Sequence, residues 1–447
     1  MIVVKFGGTS VGTPQRMRKV AELVRGIQSR KIVVLSALAG TTNSLVEISD
    51  TLMANDPATV QEKIDHLEKH YLSFVGELFL TEAYKAVGEE IVGRHFSLIR
   101  LLAAGRFDDR GKRELLAQGE LISTELFYTH LGELGEEPRM LPALHFMTIG
   151  QDAEPELDKI SERLMPLVKS LEKYPILITQ GYICRNHLNE IDNLKRGGSD
   201  YTASLVGAAI RASEIQIWTD IDGMHNNDPR VVKNTFPIAE LSFDEASELA
   251  YFGAKILHPS TILPAQKYGI PVRLKNTLDE EATGTLISTH SASGEIKAIA
   301  AKDHITAIKV KSSRMLLAYG FLRKLFEVFE KHHTSIDMIS TSEVAVSVTI
   351  DDLHAMDEIK EALGKLGTIE VDTNLTIICV VGQGLAEKKE VLALIFSALA
   401  PIPIRMVSFG GSKNNISLLV EQGHKEKALH LLNDSLFTRP HKPAPTP

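Results

Sequence analysis

Only two cysteines, Cys184 and Cys379, occur in 447 residues, and they lie far apart. That scarcity rules out a Cys-rich metal site and fits a reducing compartment. No apolar run approaches the roughly 18 residues that a membrane-spanning helix requires. No basic segment with a signal-type apolar core precedes the first strand, so a cytoplasmic enzyme is expected. Positive charge is not in excess. The formal net charge of −8 argues against a binder of nucleic acid or anionic membrane. Catalytic signatures of fixed spacing are missing too: no HExxH, no CxxC and no Ser/His/Asp arrangement. No GxGxxG follows a strand with a later acidic residue, which disfavours a dehydrogenase.

What remains is an ordinary globular composition, 44% hydrophobic and 24% charged, at a length that fits about three domains of roughly 150 residues. Met1–Val4 reads as a buried strand of β-formers and runs into Lys5-Phe6-Gly7-Gly8-Thr9-Ser10. Paired glycines let a backbone turn sharply and approach a ligand. Their N–H groups can cradle phosphate oxygens, and Lys5 adds positive charge. A P-loop has its lysine after the glycines; here it comes before them. A solvated lysine beside an ordinary glycine turn is the competing reading of this fragment.

A βαβ rhythm follows: strand Ile2–Lys5, a helix over Pro14–Gln28 begun by its proline, strand Lys31–Ser36, and the small-residue turn Ala37–Asn43 before another helix. It predicts a mostly parallel sheet covered by helices. Residues 50–130 read as almost wholly helical. One helix opens at Asp56-Pro57 and carries Val60, Ile64, Leu67, Tyr71 and Phe74 on one face. Others cover about Thr81–Ala103 and Gly111–His130. Strands return at Met140–Leu144, Ile176–Gln180, Ile215–Thr219 and Val272–Leu274. From about residue 295 the pattern becomes strand His304–Lys311, amphipathic helix Gly320–His332, and strands Ser335–Ser340 and Val344–Ile350. A similar unit follows: Leu375–Val381, a helix near Lys388–Leu399, Ile404–Ser408 and Asn415–Val420. Ile336–Ser340 aligns with Ile404–Ser408, marking an internal duplication. Thr438–Pro447, with four prolines, reads as a frayed tail.

Several clusters can carry chemistry. Arg196-Gly197-Gly198-Ser199-Asp200 opens a helix over Tyr201–Ala212. A glycine pair at a helix N-terminus suits an anion, because unpaired N–H groups and the dipole point at it. Arg196 can clamp a carboxylate or phosphate. Plain N-capping by Ser199 or Asp200 explains the same residues. Ile217–Gly223 is a strand ending in acidic turn residues, at the carboxyl end where α/β sheets bind ligands. Asp220 there can position a lysine or hold Mg2+ through water, or be a solvated turn residue. Arg230, in Asp228-Pro229-Arg230, can reach a phosphate or simply complete a turn. In the helix-like Phe252–Pro259, Lys255 taken singly is a solvated lysine and His258 a helix terminator. Glu120 can bind an amine or be a structural carboxylate. Two glycine-bearing strand ends and a second lysine together fit phosphoryl transfer, where a protein mainly positions groups and neutralises charge.

These segments resemble the aspartokinases of the amino acid kinase superfamily over nearly the whole chain. The matching runs are Lys5–Ser10, Leu35–Asn43, Gly119-Glu120, Leu194–Thr202, Trp218–Asp220, Asp228–Arg230 and Phe252–Pro259. The duplicated tail resembles paired ACT domains. The resemblance implies an α/β fold: an amino acid kinase domain over 1–293, a mostly parallel sheet sandwiched by helices, with a helical insertion at about 50–130. Two ferredoxin-like βαββαβ ACT domains would follow. The first, over 303–372, would bind the effector. The second, over 294–302 plus 373–437, would borrow strand Ile296–Lys302 from before the first. Residues 438–447 would be a flexible tail. No homoserine dehydrogenase module follows, so a monofunctional enzyme is expected. The implied reaction is ATP-dependent phosphorylation of the β-carboxylate of L-aspartate to 4-phospho-L-aspartate, the first step of lysine, threonine and methionine biosynthesis.

The resemblance also assigns roles. Lys5, Gly8 and Asp200 would be catalytic. Thr42, Glu120, Arg196 and Ser199 would hold aspartate, Glu120 by its amino group and Arg196 by its α-carboxylate. Lys5, Gly7, Gly8, Thr9, Ser10, Thr219, Asp220, His225, Arg230 and Lys255 would hold MgATP. Mg2+ would ride mainly on the ATP phosphates, with no metal site in the protein. His225 stands where relatives often carry tyrosine. Met315, Ala318, Gly320, Phe321, Leu322, Ser335, Ile336, Asp337, Ser342 and Glu343 resemble an effector site. Asp337 and Glu343 would pair with the amines of an amino acid, lysine ahead of threonine. A homodimer through the ACT domains is implied, extendable to a tetramer, with no nucleic-acid or membrane partner. The alternatives are another superfamily member, such as an acetylglutamate, glutamate or nucleoside-monophosphate kinase, and a non-catalytic amino-acid sensor. The former generally lack the insertion and the duplicated tail. Against the latter, Lys5, Arg196 and Lys255 are all present.

Overall fold

The computed structural model describes residues 1–194, 197–253, 259–291, 296–312 and 319–437. It forms two compact units, each discontinuous in sequence. The first is Met1–Met224, Ala239–Phe243 and Leu257–His290; the second is His225–Ile238, Asp244–Ile256 and Ser291–Pro447.

The first unit is built on an eight-stranded sheet. Its opening strands, β1 (Ile2–Phe6) and β2 (Lys31–Leu35), are buried at every position. That unbroken burial belongs to parallel strands covered on both faces. Between them lie a single turn of helix, α1 (Gly8–Val11), and α2 (Pro14–Gly26), where Thr13 accepts the Arg16 N–H at 3.2 Å and Pro14 fills the first turn. After α3 (Thr41–Met53) comes the helical insertion, α4 (Pro57–Leu78), α5 (Glu82–Ala104) and α6 (Asp109–Glu133). Asp56 caps α4, and the expected Val60, Ile64, Leu67, Tyr71 and Phe74 are its buried face. They share one core with Ile2, Val4 and Phe6 of β1.

The remaining elements of this unit are β3 (Arg139–Met140), α7 (Leu157–Ser170), β4 (Ile176–Gln180), the hairpin β5 (Ile183–Arg185) and β6 (Ile191–Asn193), α8 (Gly198–Ile210), β7 (Ile215–Thr219), β8 (Glu240–Ser242), α9 (Phe243–Tyr251), α10 (Pro259–Lys267), β9 (Val272–Asn276) and β10 (Thr285–Ser288). Of α9, only Phe243 belongs here; the rest lies in the second unit. The strand order is β3-β4-β2-β1-β7-β9-β10-β8. It is parallel from β3 to β9, and β10 runs antiparallel to β9. Two sequence expectations need correction. The strand over Met140–Leu144 stops at Met140 and gives way to a 3-10 turn at Ala143–His145, because Pro142 has no N–H to give a ladder. The helix-like reading of Phe252–Pro259 fails at its start. α9 ends at Tyr251, and Phe252 and Gly253 form a turn, with Gly253 at φ +118; residues 254–258 lie outside the described residues.

The second unit carries a six-stranded antiparallel sheet, ordered β12-β13-β11-β14-β16-β15. Its elements are β11 (Ile296–Lys311), α11 (Phe321–Lys331), β12 (Ile339–Thr341), β13 (Ala345–Ile350), α12 (Met356–Gly364), β14 (Thr368–Gly382), α13 (Lys389–Ala398), β15 (Ile404–Ser408), β16 (Asn415–Glu421) and α14 (Lys425–Phe437). β11 and β14 pair along their whole length, with the register slipping between Lys302 and Ile305, where His304 sits at φ +59. One core gathers Ile308, Phe321, Leu325 and Val348; a second gathers Ile299, Ile378, Ile395 and Leu418, together with Val232. The expected strand Ser335–Ser340 shrinks to Ile339–Thr341. Thr349 takes the Asp337 N–H on its carbonyl and the Met338 N–H on its hydroxyl, so the chain before β12 is irregular. Among the described residues no helix is long and apolar enough to cross a membrane.

Candidate active site

Three parallel neighbours end together: Phe6 of β1 pairs with Leu35 of β2, and Leu35 with Gln180 of β4. Helices α1, α3 and α8 start just beyond such strand ends or the hairpin that follows. The carboxyl edge of an α/β sheet is where ligands bind, and a cavity of about 640 Å³ opens there. It brings together seven residues expected from sequence: Lys5, Gly8, Thr9, Thr42, Glu120, Ser199 and Asp200. Ser36–Gly40, Asn43, Tyr182, Leu194, Gly197 and Gly198 complete its wall. Of these, Tyr182 had a legible signal. It follows Gly181 at the end of β4, a third glycine at a strand end.

Lys5 Nζ lies 2.6 Å from Asp200 Oδ1, with 10% and 14% of the two side chains exposed. Asp200 therefore does not cap α8. The cap is Gly197 at φ +71, with Ser199 and Asp200 inside the first turn. Close packing explains the glycines. A Cβ on Gly8 would stand 3.0 Å from the Ala37 carbonyl oxygen, and one on Gly181 would stand 2.9 Å from Ser199 Cα. Tyr182 is held at φ +67, a conformation costly for a ring residue. Its N–H donates to Thr202 Oγ1 at 3.0 Å, and its carbonyl accepts the Leu194 N–H at 2.7 Å.

Glu120 is 3% exposed. Its Oε1 accepts the Ala37 N–H at 3.2 Å, and its Oε2 is buried with no partner among the described residues. Burial pushes the carboxyl up to about 8, against the pull of the Ala37 hydrogen bond. A buried carboxylate oxygen on a cavity wall is a receptor for a donor that the described residues do not supply.

The other expected residues are distributed differently. Ser10 is buried and spends its hydroxyl on Thr277 Oγ1 at 2.9 Å, tying α1 to the strands beside it. Gly7 adjoins the Lys5 ammonium, which a Cβ there would meet at 3.3 Å. Thr219 ends β7 and accepts the Ile221 N–H at 3.1 Å, and Asp220 is exposed beside it. His225 and Arg230 belong to the second unit. His225 Nδ1 lies 3.0 Å from Thr235 Oγ1, and Arg230 is bound to Asp228 at 2.9 and 2.8 Å. Arg196 and Lys255 lie outside the described residues. Among the described residues no group of three or more His, Cys, Asp or Glu side chains converges as a metal centre.

Of the expected effector residues, Met315 and Ala318 lie outside the described residues. Gly320 precedes α11 at φ +80. Phe321 and Ile336 serve the core, while Leu322, Ser335, Ser342 and Glu343 are exposed. Asp337 has a side chain only 1% exposed. Its Oδ1 meets Lys302 Nζ at 2.6 Å and the Tyr251 hydroxyl at 2.9 Å, while Oδ2 is buried without a partner among the described residues. Burial raises this carboxyl above the usual range despite the ammonium beside it.

The amino acid kinase family matches residues 1–276 of the chain, and an ACT domain family matches residues 378–436. The lysine-sensitive aspartokinase 3 of Escherichia coli (strain K12) is 33% identical over 450 residues, covering 98% of this chain and 99% of that protein. Two crystal structures of E. coli aspartokinase III are similar over 98% of this chain. One, in complex with aspartate and ADP (R-state), is covered to 100%, with a TM-score of 0.85 at 33% identity. The other, in complex with lysine and aspartate (T-state), is covered to 99%, with a TM-score of 0.82 at 34% identity.

Proposed function

The chain belongs to the amino acid kinase family and is an aspartokinase, a phosphotransferase; from that premise we propose that it phosphorylates the β-carboxylate of L-aspartate with ATP, forming 4-phospho-L-aspartate. The observation that carries this reading is Glu120 on the same cavity wall as Lys5 and Asp200. A receptor for an ammonium group stands beside phosphate-handling residues, as an amino acid acceptor requires.

The chemistry needs no general base. The β-carboxylate has a reference pKa near 3.9 and is ionised at neutral pH. One of its oxygens forms the bond to the γ-phosphorus as the bond to the β,γ-bridging oxygen breaks, and ADP leaves. The obstacle is repulsion between two anions. The Lys5 ammonium, held by Asp200 at 2.6 Å, offsets it where charge develops. The Gly8 turn adds backbone N–H groups. The substrate ammonium sits at Glu120 and favours its ionised form, the carboxyl proton passing to solvent; Arg196 and Ser199 take the α-carboxylate, with Thr42 assisting. Within the first unit, Thr9, Thr219 and Asp220 are the candidates for holding ATP. Mg2+ would arrive on the nucleotide, carried mainly by the ATP phosphates. When bound it neutralises the β- and γ-phosphate oxygens.

Regulation by lysine is the matching proposal for the second unit. The E. coli relative is lysine-sensitive, and Asp337 already accepts an ammonium, that of Lys302. Pairing of two chains through the exposed edge strand β12 would complete a regulatory homodimer. An ATP-dependent hydroxamate assay tests the whole reading. L-Aspartate should be the preferred acceptor over L-glutamate and N-acetyl-L-glutamate, and lysine should inhibit. Lys5→Ala should lower kcat by about 10²–10³-fold, far more than it changes stability. Preference for another acceptor, or near-wild-type kcat in folded Lys5→Ala, sinks the assignment. Unchanged lysine inhibition in Asp337→Ala removes that residue from the effector site.

A further inference from the structure

Helix α3 begins without a side-chain cap. Its N-cap is Gly40 at φ +86, and no side chain among the described residues accepts from its first turn. Thr42 and Asn43 of that turn line the cavity. A serine or aspartate at the cap would take an N–H of the second or third residue. A bare cap leaves those groups for a ligand, but it also leaves the turn without the contact that usually stops it fraying.

Something outside the helix holds it instead. Thr41, the first residue of α3, has its hydroxyl 2.8 Å from the hydroxyl of Tyr71. Tyr71 comes from α4 in the helical insertion, has no exposed surface and packs its ring 5.8 Å from that of Phe96 in α5. The other branch of Thr41 faces α6. A Cβ on Gly119 would stand 3.2 Å from Thr41 Cγ2 and 2.9 Å from Ala37 Cβ, so α6 passes this loop at the closest approach a glycine permits. The next residue of α6 is Glu120, which accepts the Ala37 N–H. The insertion therefore grips the 37–43 segment at three points: Tyr71 on Thr41, Gly119 against Ala37 and Thr41, and Glu120 on Ala37.

We propose that Tyr71 is a positioning residue for the amino acid acceptor, fixing through Thr41 the first turn of α3 and with it Thr42 and the loop that Glu120 holds. Tyr71 touches no reacting group, and its effect is on where the acceptor sits. The insertion thereby acts as the rigid backing of one substrate pocket. The proposal rests on the assignment of that pocket to aspartate.

The test uses the full chain with Tyr71→Phe, Thr41→Val, Thr41→Ser and the double variant Tyr71→Phe/Thr41→Val, both substrates being varied in turn. Loss of one hydroxyl strands the other in the interior, and the expected rise in KM for aspartate is roughly tenfold in Tyr71→Phe and in Thr41→Val. KM for ATP should stay within about twofold, since only one pocket loosens. Thr41→Ser, which keeps the hydroxyl, should behave as wild type. The double variant should be no worse than the poorer single, as expected for two halves of one interaction. Amide hydrogen exchange in the ligand-free protein reads the same device without activity: within residues 41–44 the Thr41 and Ser44 amides, which donate to the Leu38 and Gly40 carbonyls, should exchange faster in Tyr71→Phe while the amides of α4 do not. Variants that melt earlier yet keep the wild-type KM for aspartate, a parallel rise in both KM values, or unchanged exchange at 41–44 would each overturn the proposal. A wild-type protein that does not phosphorylate aspartate defeats the functional assignment, while the exchange measurement still decides on Tyr71.

Discussion

Glu120 gives the protein a pH dependence of unusual sign. Its carboxyl, ordinarily at 4.5, sits at about 8 in the folded chain. Below 4.5 it is protonated in both states and favours neither. Between 4.5 and 8 the unfolded chain releases the proton while the folded chain keeps it, so stability falls as pH rises through this window and levels off above it. The isosteric Glu120→Gln has no proton to lose. Its melting temperature relative to wild type, without ligand, should climb from about pH 5 to about pH 8 and then stay constant; a constant difference throughout would show that Glu120 titrates normally. Substrate binding has the opposite sign, because an ammonium binds the ionised form. KM for aspartate should therefore fall from about pH 6 to about pH 8 in wild type and be higher and flat in Glu120→Gln. Lys5, Glu120 and Asp200 were legible in the sequence, because lysine-glycine and glycine-acid runs advertise charge beside bare backbone. The Thr41–Tyr71 contact was not. It joins an ordinary helix start to one residue of an apolar stripe thirty positions later, and periodicity says only that Tyr71 is buried.

Glycines separate the elements that need close approach from those that do not. Gly181 stands where a Cβ would run into Ser199 and so lets α8 begin against the end of β4. Gly181→Ala should push that helix start outward, raising KM for aspartate and costing about 1–3 kcal/mol of stability by denaturant titration. Gly76 and Gly93, inside α4 and α5, would have nothing within 4 Å of an added Cβ. Alanine at each should stabilise by about 0.5–1 kcal/mol, and a loss there would show hidden crowding in the insertion. Strands β1, β2 and β4 were legible because burial on both faces leaves a largely apolar run. β3 was over-read because an apolar run does not reveal that Pro142 ends the ladder. The strand before β12 was over-read because Thr349 diverts its N–H groups, a contact from another strand. At β11 the reverse happened. Two expected strands, Ile296–Lys302 and His304–Lys311, are one, because the register slip at His304 bends the strand without ending it.

At the scale of the whole molecule, the second unit includes residues 225–238 and 244–256, which no local pattern could reveal. Val232, 3% exposed, is in one core with Ile299 and Leu418. The Asn226 carbonyl accepts the Ile299 N–H at 2.9 Å. Asn227 donates to the Leu429 carbonyl at 3.3 Å, and Phe236 meets Phe437 edge-on at 5.8 Å. A chain ended at residue 293 keeps these residues and loses every one of those partners. It should aggregate, because bared apolar side chains and unmet amides seek other chains. A soluble, monomeric and cooperatively melting 1–293 fragment, by light scattering and calorimetry, would show that the segment refolds on its own.

That interleaving also sets a timetable for synthesis. Leu418 follows Val232 by 186 residues, and a ribosome adding about 5–20 residues per second needs roughly 10–40 s to cover the gap. For that interval the Val232 segment has emerged and its core has not been made. The nascent chain thus carries a waiting hydrophobic stretch, and strand β16 and helix α14 are the elements that close it.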